Sequence, residues 1–250
     1  MRQMALRACG ISLHEQKREL VSSRLEKLVR RHGCSSFSQY IQFVSGCRNG
    51  SEFTEFIDTL TTNHSSFWRE PEHFLFLRDT VFPAHRNRLR IWSAACATGE
   101  EPYTIAMCAL EAGVRNCSVN ASDVSTAALN VAVRGEYEDS KTAMLPLGWR
   151  ERYFKSLAGG GISAVRPSLR SIARFASVNL LRPFRHVGQF DVIFCRNVMI
   201  YFEQDTRNQL IGCLLEQLQP GGYLFTGHSE TLLCLPRGLQ YIQPATYRRL

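Results

Sequence analysis

The chain has 250 residues, 44% of them hydrophobic and 21% charged. That is globular composition, with length for one large core or two small ones, and it excludes a disordered chain. No stretch approaches the roughly 18 apolar residues of a membrane span, and residues 1–10 lack the continuous apolar segment of a cleaved leader. Nine scattered cysteines, odd in number and without a C-x-x-C pair, suggest neither a disulfide framework nor a zinc site, and fit thiols kept in a reducing cytosol. The net charge of +8 is uneven: residues 1–50 hold nine Lys or Arg against three Glu, which is six of the eight net charges. Such a patch is either a solvated helix face or a surface that steers toward an acidic partner, and composition does not choose between nucleic acid and an acidic protein.

The first element is a helix over residues 12–31, with Ser12 as N-cap and Glu15 completing a capping box. Val21, Leu25, Leu28 and Val29 form its apolar stripe. Lys17, Arg24, Lys27 and Arg31 gather beside it, because steps of three, four and seven residues return to one face. Gly33 closes the helix. Short helical patterns at 37–44 and 52–61 make the first 65 residues all-helical, and a further helix over 67–82 is interrupted early by Pro71 and ended by Pro83.

After Leu89 the texture changes. Strands at 89–93, 118–122, 190–195 and 222–227 alternate with helices at 102–111, 126–134 and 205–218, which predicts a parallel, doubly wound α/β sheet. Residues 152–180 break the alternation. Three glycines at 159–161 mark a turn, and strand candidates at 163–165 and 172–178 suggest a small antiparallel insertion on the main sheet. There are no internal repeats and no low-complexity tracts.

Ligands of open α/β sheets bind beyond the carboxyl ends of the strands, so the residues after each strand carry the functional information. The first strand runs into "WSAACATGEEPYTIAM", where small side chains from Ser93 to Ala97 and Gly99 leave backbone bare beside Glu101. That turn lets a ligand approach backbone N–H groups while Glu101 offers a carboxylate to a cation; capping of the next helix is the competing reading. The turn lacks the G-x-G-x-x-G pattern, which argues against a pyrophosphate-bearing dinucleotide. Asp123 ends the second strand, where nucleoside-bearing cofactors have their ribose hydroxyls held, or it caps the next helix. Arg196 and Asn197 end the apolar strand "FDVIFC".

Six blocks in order, "NHSSFWREPEHFLFLRD", "WSAACATGEEPYTIAM", "ASDVSTAALNVAVRGEY", "SVNLL", "FDVIFCRNVMIYF" and "PGGYLFTGHSETL", resemble the CheR-type chemotaxis receptor methyltransferases over nearly the whole chain. The resemblance implies a Rossmann-like S-adenosylmethionine methyltransferase domain with a small antiparallel β-subdomain, preceded by an all-helical N-terminal domain. The implied boundaries are 1–66 for the helical domain, 67–88 for a linker helix and 89–250 for the methyltransferase domain, with 152–178 as the inserted subdomain. It implies S-adenosylmethionine as methyl donor, S-adenosylhomocysteine as product, and cofactor contacts from Asn63, Ser65, Arg69, Glu101, Asp123, Asn179, Leu180, Arg196 and Asn197. Arg69 and Tyr201 are the positions the family places beside the transferred methyl group. Ser65 stands where many relatives carry threonine, and it keeps the hydroxyl.

Charge supplies the expected chemistry. Glu101 suits the cofactor's ammonium and Asp123 its ribose diol. A glutamate substrate, with an ordinary pKa of about 4.3, is ionised at neutral pH and needs alignment rather than a base. Arg69 is expected to orient that carboxylate and Tyr201 to hydrogen-bond it; the alternatives are an Arg69 ion pair with Glu70 or Glu72 and a Tyr201 that merely packs beside Phe202. The face of Lys17, Arg24, Lys27 and Arg31 is expected to dock on glutamate-rich cytoplasmic receptor helices. The expectation is a cytoplasmic monomer that neither inserts into a membrane nor binds nucleic acid. A nucleic-acid methyltransferase fits the basic balance, but "CRNVMIYF" lacks the Asn/Asp-Pro-Pro-aromatic arrangement of amino methyltransferases, and no metal site is expected. A catalytically idle adaptor is the alternative from another class.

Overall fold

The computed structural model describes Met4 and residues 18–47, 50–61, 63–85, 88–182, 184, 189–232 and 234–250. Ser12, Glu15 and Lys17, invoked above, lie outside them. Three helices come first, α1 (Arg18–Arg31), α2 (Phe37–Gly46) and α3 (Ser51–Leu60). The stripe of Val21, Leu25, Leu28 and Val29 is buried against Tyr40 and Val44 of α2 and Phe56, Ile57 and Leu60 of α3. Each such side chain contributes about 1.5–3 kcal/mol on burial, so the three helices hold one another through a core of their own. Gly33, at φ 65°, ends α1 by letting Cys34 N–H reach the Val29 carbonyl at 3.0 Å.

The connector departs from its sequence reading. Pro71 opens a helix rather than interrupting one: α4 (Pro71–Phe76) starts on it, since the first turn has no use for its missing N–H. A π-helical turn, Leu77–Val81, then leads into α5 (Phe82–Ala84). Pro83 therefore sits within the helical run, where the wider spacing (Phe82 N–H to the Leu77 carbonyl) accommodates a residue with no N–H to give.

The remainder runs β1 (Leu89–Ser93), α6 (Glu100–Glu111), β2 (Cys117–Asp123), α7 (Thr126–Arg134), β3 (Glu136–Glu138), α8 (Asp139–Thr142), α9 (Trp149–Tyr153), β4 (Phe154–Ser156), β5 (Ile162–Val165), α10 (Pro167–Arg170), β6 (Ala173–Ser177), β7 (Phe190–Cys195), α11 (Gln204–Gln217), β8 (Leu218–Thr226), β9 (Leu239–Gln243) and β10 (Thr246–Arg249). Seven strands form one sheet in the order β6-β2-β1-β7-β8-β10-β9. The first five are parallel, and β10 pairs antiparallel with both β8 and β9. Alternation along the strands splits the core in two. Ile91, Val192, Phe194 and Phe225 face α6 and the 71–82 helical run, whereas Trp92, Ile193, Cys195 and Leu224 face Leu210, Ile211 and Leu214 of α11.

The inserted subdomain is a three-stranded antiparallel sheet in the order β3-β5-β4. Its third strand is residues 136–138 and not, as the sequence suggested, residues 172–178. Those form β6, which pairs parallel with β2 from Val119↔Ala173 to Asp123↔Ser177. As the edge strand of the main sheet, β6 is buried at Ala173 and exposed at Arg174, Ala176 and Ser177, so its pattern resembles that of a half-solvated antiparallel strand. No helix among the described residues is long and apolar enough to cross a membrane.

Candidate active site

Strand β1 pairs in parallel with β2 on one side and β7 on the other, so the chain order reverses at β1. The crevice beyond the carboxyl ends of these strands is where a ligand of such a sheet is held. A cleft opens there, lined by Asn63, Ser65, Arg69, Glu101, Asp123, Asn179, Leu180, Arg196, Asn197 and Tyr201. All nine sequence-predicted cofactor residues and both predicted catalytic ones thus border one space.

The turn after β1 is built around Gly99, at φ 95°, where an added Cβ would stand 2.7 Å from Ala132 Cβ and 2.9 Å from the Tyr137 hydroxyl. Gly99 caps α6 without a side-chain hydrogen bond. Glu101 is therefore not capping its helix. Its Oε1 accepts from Ser93 Oγ at 2.7 Å and its Oε2 from Arg196 Nη1 at 2.9 Å. Burial raises the Glu101 pKa above the ordinary carboxylate value, against the opposing pull of Arg196 and Ser93. A second cation on its open side would relieve that destabilisation, which is what an ammonium group offers.

Asp123 also carries a pKa raised by burial, opposed by backbone N–H groups of Ser125, Ala97 and Val124. Its Oδ1 accepts from Ser125 N–H and its Oδ2 from Ala97 N–H, both at 2.9 Å. Asp123 does not cap α7; Ser125 does, accepting from Ala128 N–H at 3.1 Å. Asp123 instead ties the end of β2 to the small-residue turn, and its carboxylate keeps acceptor capacity for a ligand hydroxyl. Asn63 donates to Ser125 Oγ at 3.1 Å, which fixes the segment after α3 against the same strand end.

The far wall is held by Arg196, whose side chain is only 2% exposed. It bridges Glu101 and Glu70, meeting Glu70 Oε2 at 3.1 Å, and it also donates to the Arg69 carbonyl. Asn197 Nδ2 donates to Glu70 Oε1 at 3.2 Å. Burial pushes the Glu70 pKa up, but Arg196 and Asn197 outweigh it, and the net shift is downward. The Glu70 carboxylate is thus turned to Arg196, not to Arg69, whose guanidinium donates to the His64 carbonyl at 3.1 Å. Tyr201 ends a 3₁₀ turn, Met199–Tyr201, and borders the cleft while packing partly against the Trp92 core.

The basic face of α1 is divided. Arg24 is half-buried at the cleft and donates to the Thr61 carbonyl at 3.3 Å, so it lines the site instead of facing outward. Lys27 is exposed, and Arg31 is ion-paired with Glu55.

Several residues were not singled out from sequence. Ser93, Glu70 and Glu230 organise the site through contacts across the chain; for Glu230 the available signal was the x-x-x-E spacing in "GHSE", which supplies only the acid half of a capping box, since Gly227 has no side chain to complete it. Glu100 is fully buried and pairs with Lys141 of α8 at 2.6 Å, while Tyr137 of β3 donates to the Thr98 carbonyl at 2.7 Å, so the small subdomain braces the turn after β1. Glu70, His73 and His228 bring three ligand-type atoms within 4.8 Å of one another. Both Glu70 oxygens already accept from Arg196 and Asn197, and the guanidinium supplies the positive charge that a metal would bring.

Comparison with known proteins agrees with this geometry. Residues 63–247 match the family profile described as CheR methyltransferase, SAM binding domain, and residues 1–61 match CheR methyltransferase, all-alpha domain. A chemotaxis protein methyltransferase of Borreliella burgdorferi is 37% identical over 96% of this chain and 89% of its own length. Those of Salmonella typhimurium and Escherichia coli are 39% and 38% identical, each over 94% of this chain and over 83% and 84% of their own lengths. With both of its domains matched and the strand-end cleft carrying the expected residues, the chain belongs to the CheR family of S-adenosylmethionine-dependent methyltransferases.

Proposed function

We infer that this enzyme methylates glutamate side chains on the cytoplasmic helices of chemoreceptors, forming glutamate methyl esters. The observation that carries the reading is the pairing, in one cleft, of two buried carboxylates, Glu101 and Asp123, with the cationic Arg69 and the phenol of Tyr201. Glu101 fits an ammonium and Asp123 a ribose diol, so the carboxylates account for the cofactor and leave Arg69 for an anionic substrate. Bound in this cleft, S-adenosylmethionine supplies an electrophilic methyl carbon.

The protein's own residues then have to orient and exclude water. A glutamate carboxylate is ionised at neutral pH, so no side chain must take a proton from it. Arg69 pairs with the incoming carboxylate, and Tyr201 donates a hydrogen bond that fixes which oxygen faces the cofactor. The aligned Ser65 hydroxyl, Asn179 and the Leu180 backbone complete the cofactor's surroundings. Lys27 and Arg31, exposed on α1, supply positive charge for docking on glutamate-rich helices, together with Lys17 earlier in the chain. On this reading the protein works as a monomer in the cytoplasm, without nucleic acid or a membrane anchor.

Calorimetric binding of S-adenosylmethionine and S-adenosylhomocysteine to the wild type and to Asp123→Ala tests the cofactor assignment. Micromolar binding lost in the variant is expected, and no binding by folded wild type would remove it. Transfer of labelled methyl groups to a glutamate-rich receptor fragment tests the substrate. The product should release methanol in mild alkali, as esters do; an alkali-stable label would refute the glutamate assignment.

A further inference from the structure

We propose that Glu230 is a positioning residue for methyl transfer: its buried carboxylate sets the loop after β7 that carries Asn197 and Tyr201. Glu230 ends a 3₁₀ turn, His228–Glu230, that follows β8, and it is 5% exposed. Its Oε2 accepts from Asn197 N–H at 2.6 Å and from Gly227 N–H at 2.8 Å, and its Oε1 accepts from Ile200 N–H at 3.1 Å.

Only the Gly227 contact belongs to capping its own turn. The other two reach a different segment, about 30 residues earlier: one falls on Asn197, which borders the cleft, and the other on Ile200, directly before the cleft-lining Tyr201. One of them holds Asn197 at φ 57°, a left-handed conformation that asparagine tolerates but that needs outside support to be the sole one occupied. The other fixes the amide immediately before Tyr201, inside the 3₁₀ turn that aims its ring. A carboxylate accepting several backbone N–H groups is a rigid, charge-assisted anchor.

The approach is too close for any other arrangement at Gly227. A Cβ there would lie 2.6 Å from Asn197 Nδ2 and 2.7 Å from Glu230 Oε2, so the glycine is what lets the two loops touch. From Asn197 the connection continues to Glu70 and, through Arg196, to the Arg69 carbonyl. Glu230 thus stands behind both walls of the proposed substrate end without itself lining the cleft.

The inference rests on the methyl-transfer reading for Tyr201 and on cofactor binding for Asn197, and the test reads the two separately. Glu230→Gln keeps the size of the side chain but turns one end into a donor facing backbone N–H groups. Per folded molecule, its turnover at saturating S-adenosylmethionine and receptor fragment should fall about 10- to 100-fold. KM for the fragment should change less than about threefold, because docking on α1 is remote. Its affinity for S-adenosylhomocysteine should weaken about three- to tenfold through Asn197. In a Tyr201→Phe background the same change should cost less than about threefold in turnover, since the group being positioned is already lost. Undiminished turnover in Glu230→Gln, or the full loss repeated in Tyr201→Phe, would overturn the proposal. If the wild type binds S-adenosylhomocysteine but does not methylate the fragment, the affinity arm decides alone: a loss supports the positioning role and no change ends it. Glu230→Asp, one methylene short of spanning the same three donors, should behave alike and serves where the glutamine variant does not fold.

Discussion

His73 gives the structure a pH signature that can be measured without any substrate. It lies on α4, fully buried, with its ring 5.2 Å from that of Phe225 and 5.0 Å from that of His228. Neither ring nitrogen makes a hydrogen bond of normal length. Burial first, and then the nearby Arg196 charge, push its pKa from the ordinary 6.5 down to about 3, with His228 adding to the shift and Glu70 and the Pro244 backbone opposing it without reversing it. The folded value lies below the unfolded one, so the unfolded chain takes up a proton that the native protein refuses. The associated stability is complete above about pH 6.5 and is lost progressively as pH falls toward 3. Between about pH 7.5 and about pH 5 the loss amounts to about 2 kcal/mol. Urea unfolding at the two pH values, for the wild type and for His73→Phe, isolates it. The phenylalanine replaces one ring by another among aromatic neighbours and cannot titrate, so its stability should fall by about 2 kcal/mol less over this interval. Glu101 and Asp123, whose raised pKa values act in the opposite direction, are common to both proteins and cancel. Parallel pH dependence in the two proteins would refute the buried, neutral imidazole.

Arg69→Ala should lower turnover about 100-fold with the melting temperature nearly unchanged, because its guanidinium is on the cleft and its visible tie is to the His64 carbonyl. Near-normal turnover would return Arg69 to a surface role. Reversing Lys27 and Arg31 together to Glu should raise KM for a receptor fragment on the order of tenfold and flatten its salt dependence, while S-adenosylhomocysteine affinity, measured alongside, stays the same. Gly99→Ala should cost about 1–3 kcal/mol in urea unfolding and weaken cofactor binding, since both its backbone angle and its contact with Ala132 leave no room for a methyl group.

What could be read from sequence was local. Strands β1 and β7 announced themselves as short apolar runs and β2 as a short strand pattern, and the polar residues at or after their ends, Glu101, Asp123, Arg196 and Asn197, stood out because that end of an open α/β sheet is where ligands bind. The errors came where a local pattern has two tertiary outcomes. Residues 173–177 alternate like an antiparallel strand because an edge strand of a parallel sheet is also half solvated. Pro71 and Pro83 were read as breaks, but a proline at a first turn starts a helix, and the π register that carries Pro83 depends on packing around Leu77 and Val81 rather than on any residue type. Strands β9 and β10 were not anticipated, because Leu239–Gln243 and Thr246–Arg249 carry weak alternation and owe their pairing to tertiary neighbours, β10 to β8 and β9 to β10.

What could not be read was the set of ties between loops. Arg196 meets Glu70 across 126 residues of sequence and Glu101 across 95, and nothing local in either segment signals the pairing. These ties change what the residues do. Arg196 commits its guanidinium to Glu70, Glu101 and the Arg69 carbonyl, so what it contributes to the cleft runs through the placement of these groups. Asn63 and Asp58 extend the same principle to the N-terminal helices: Asn63 holds Ser125, and Asp58 accepts from Thr126 Oγ1 at 3.1 Å, so α3 is pinned to the start of α7 beside Asp123. With Val21 and Arg24 of α1 also lining the cleft, the helical bundle forms part of the cleft's wall. On the proposed docking, a receptor helix that loaded the outer face of α1 would press on the same element whose inner face borders the cleft, so docking would be mechanically adjacent to the site within one helix.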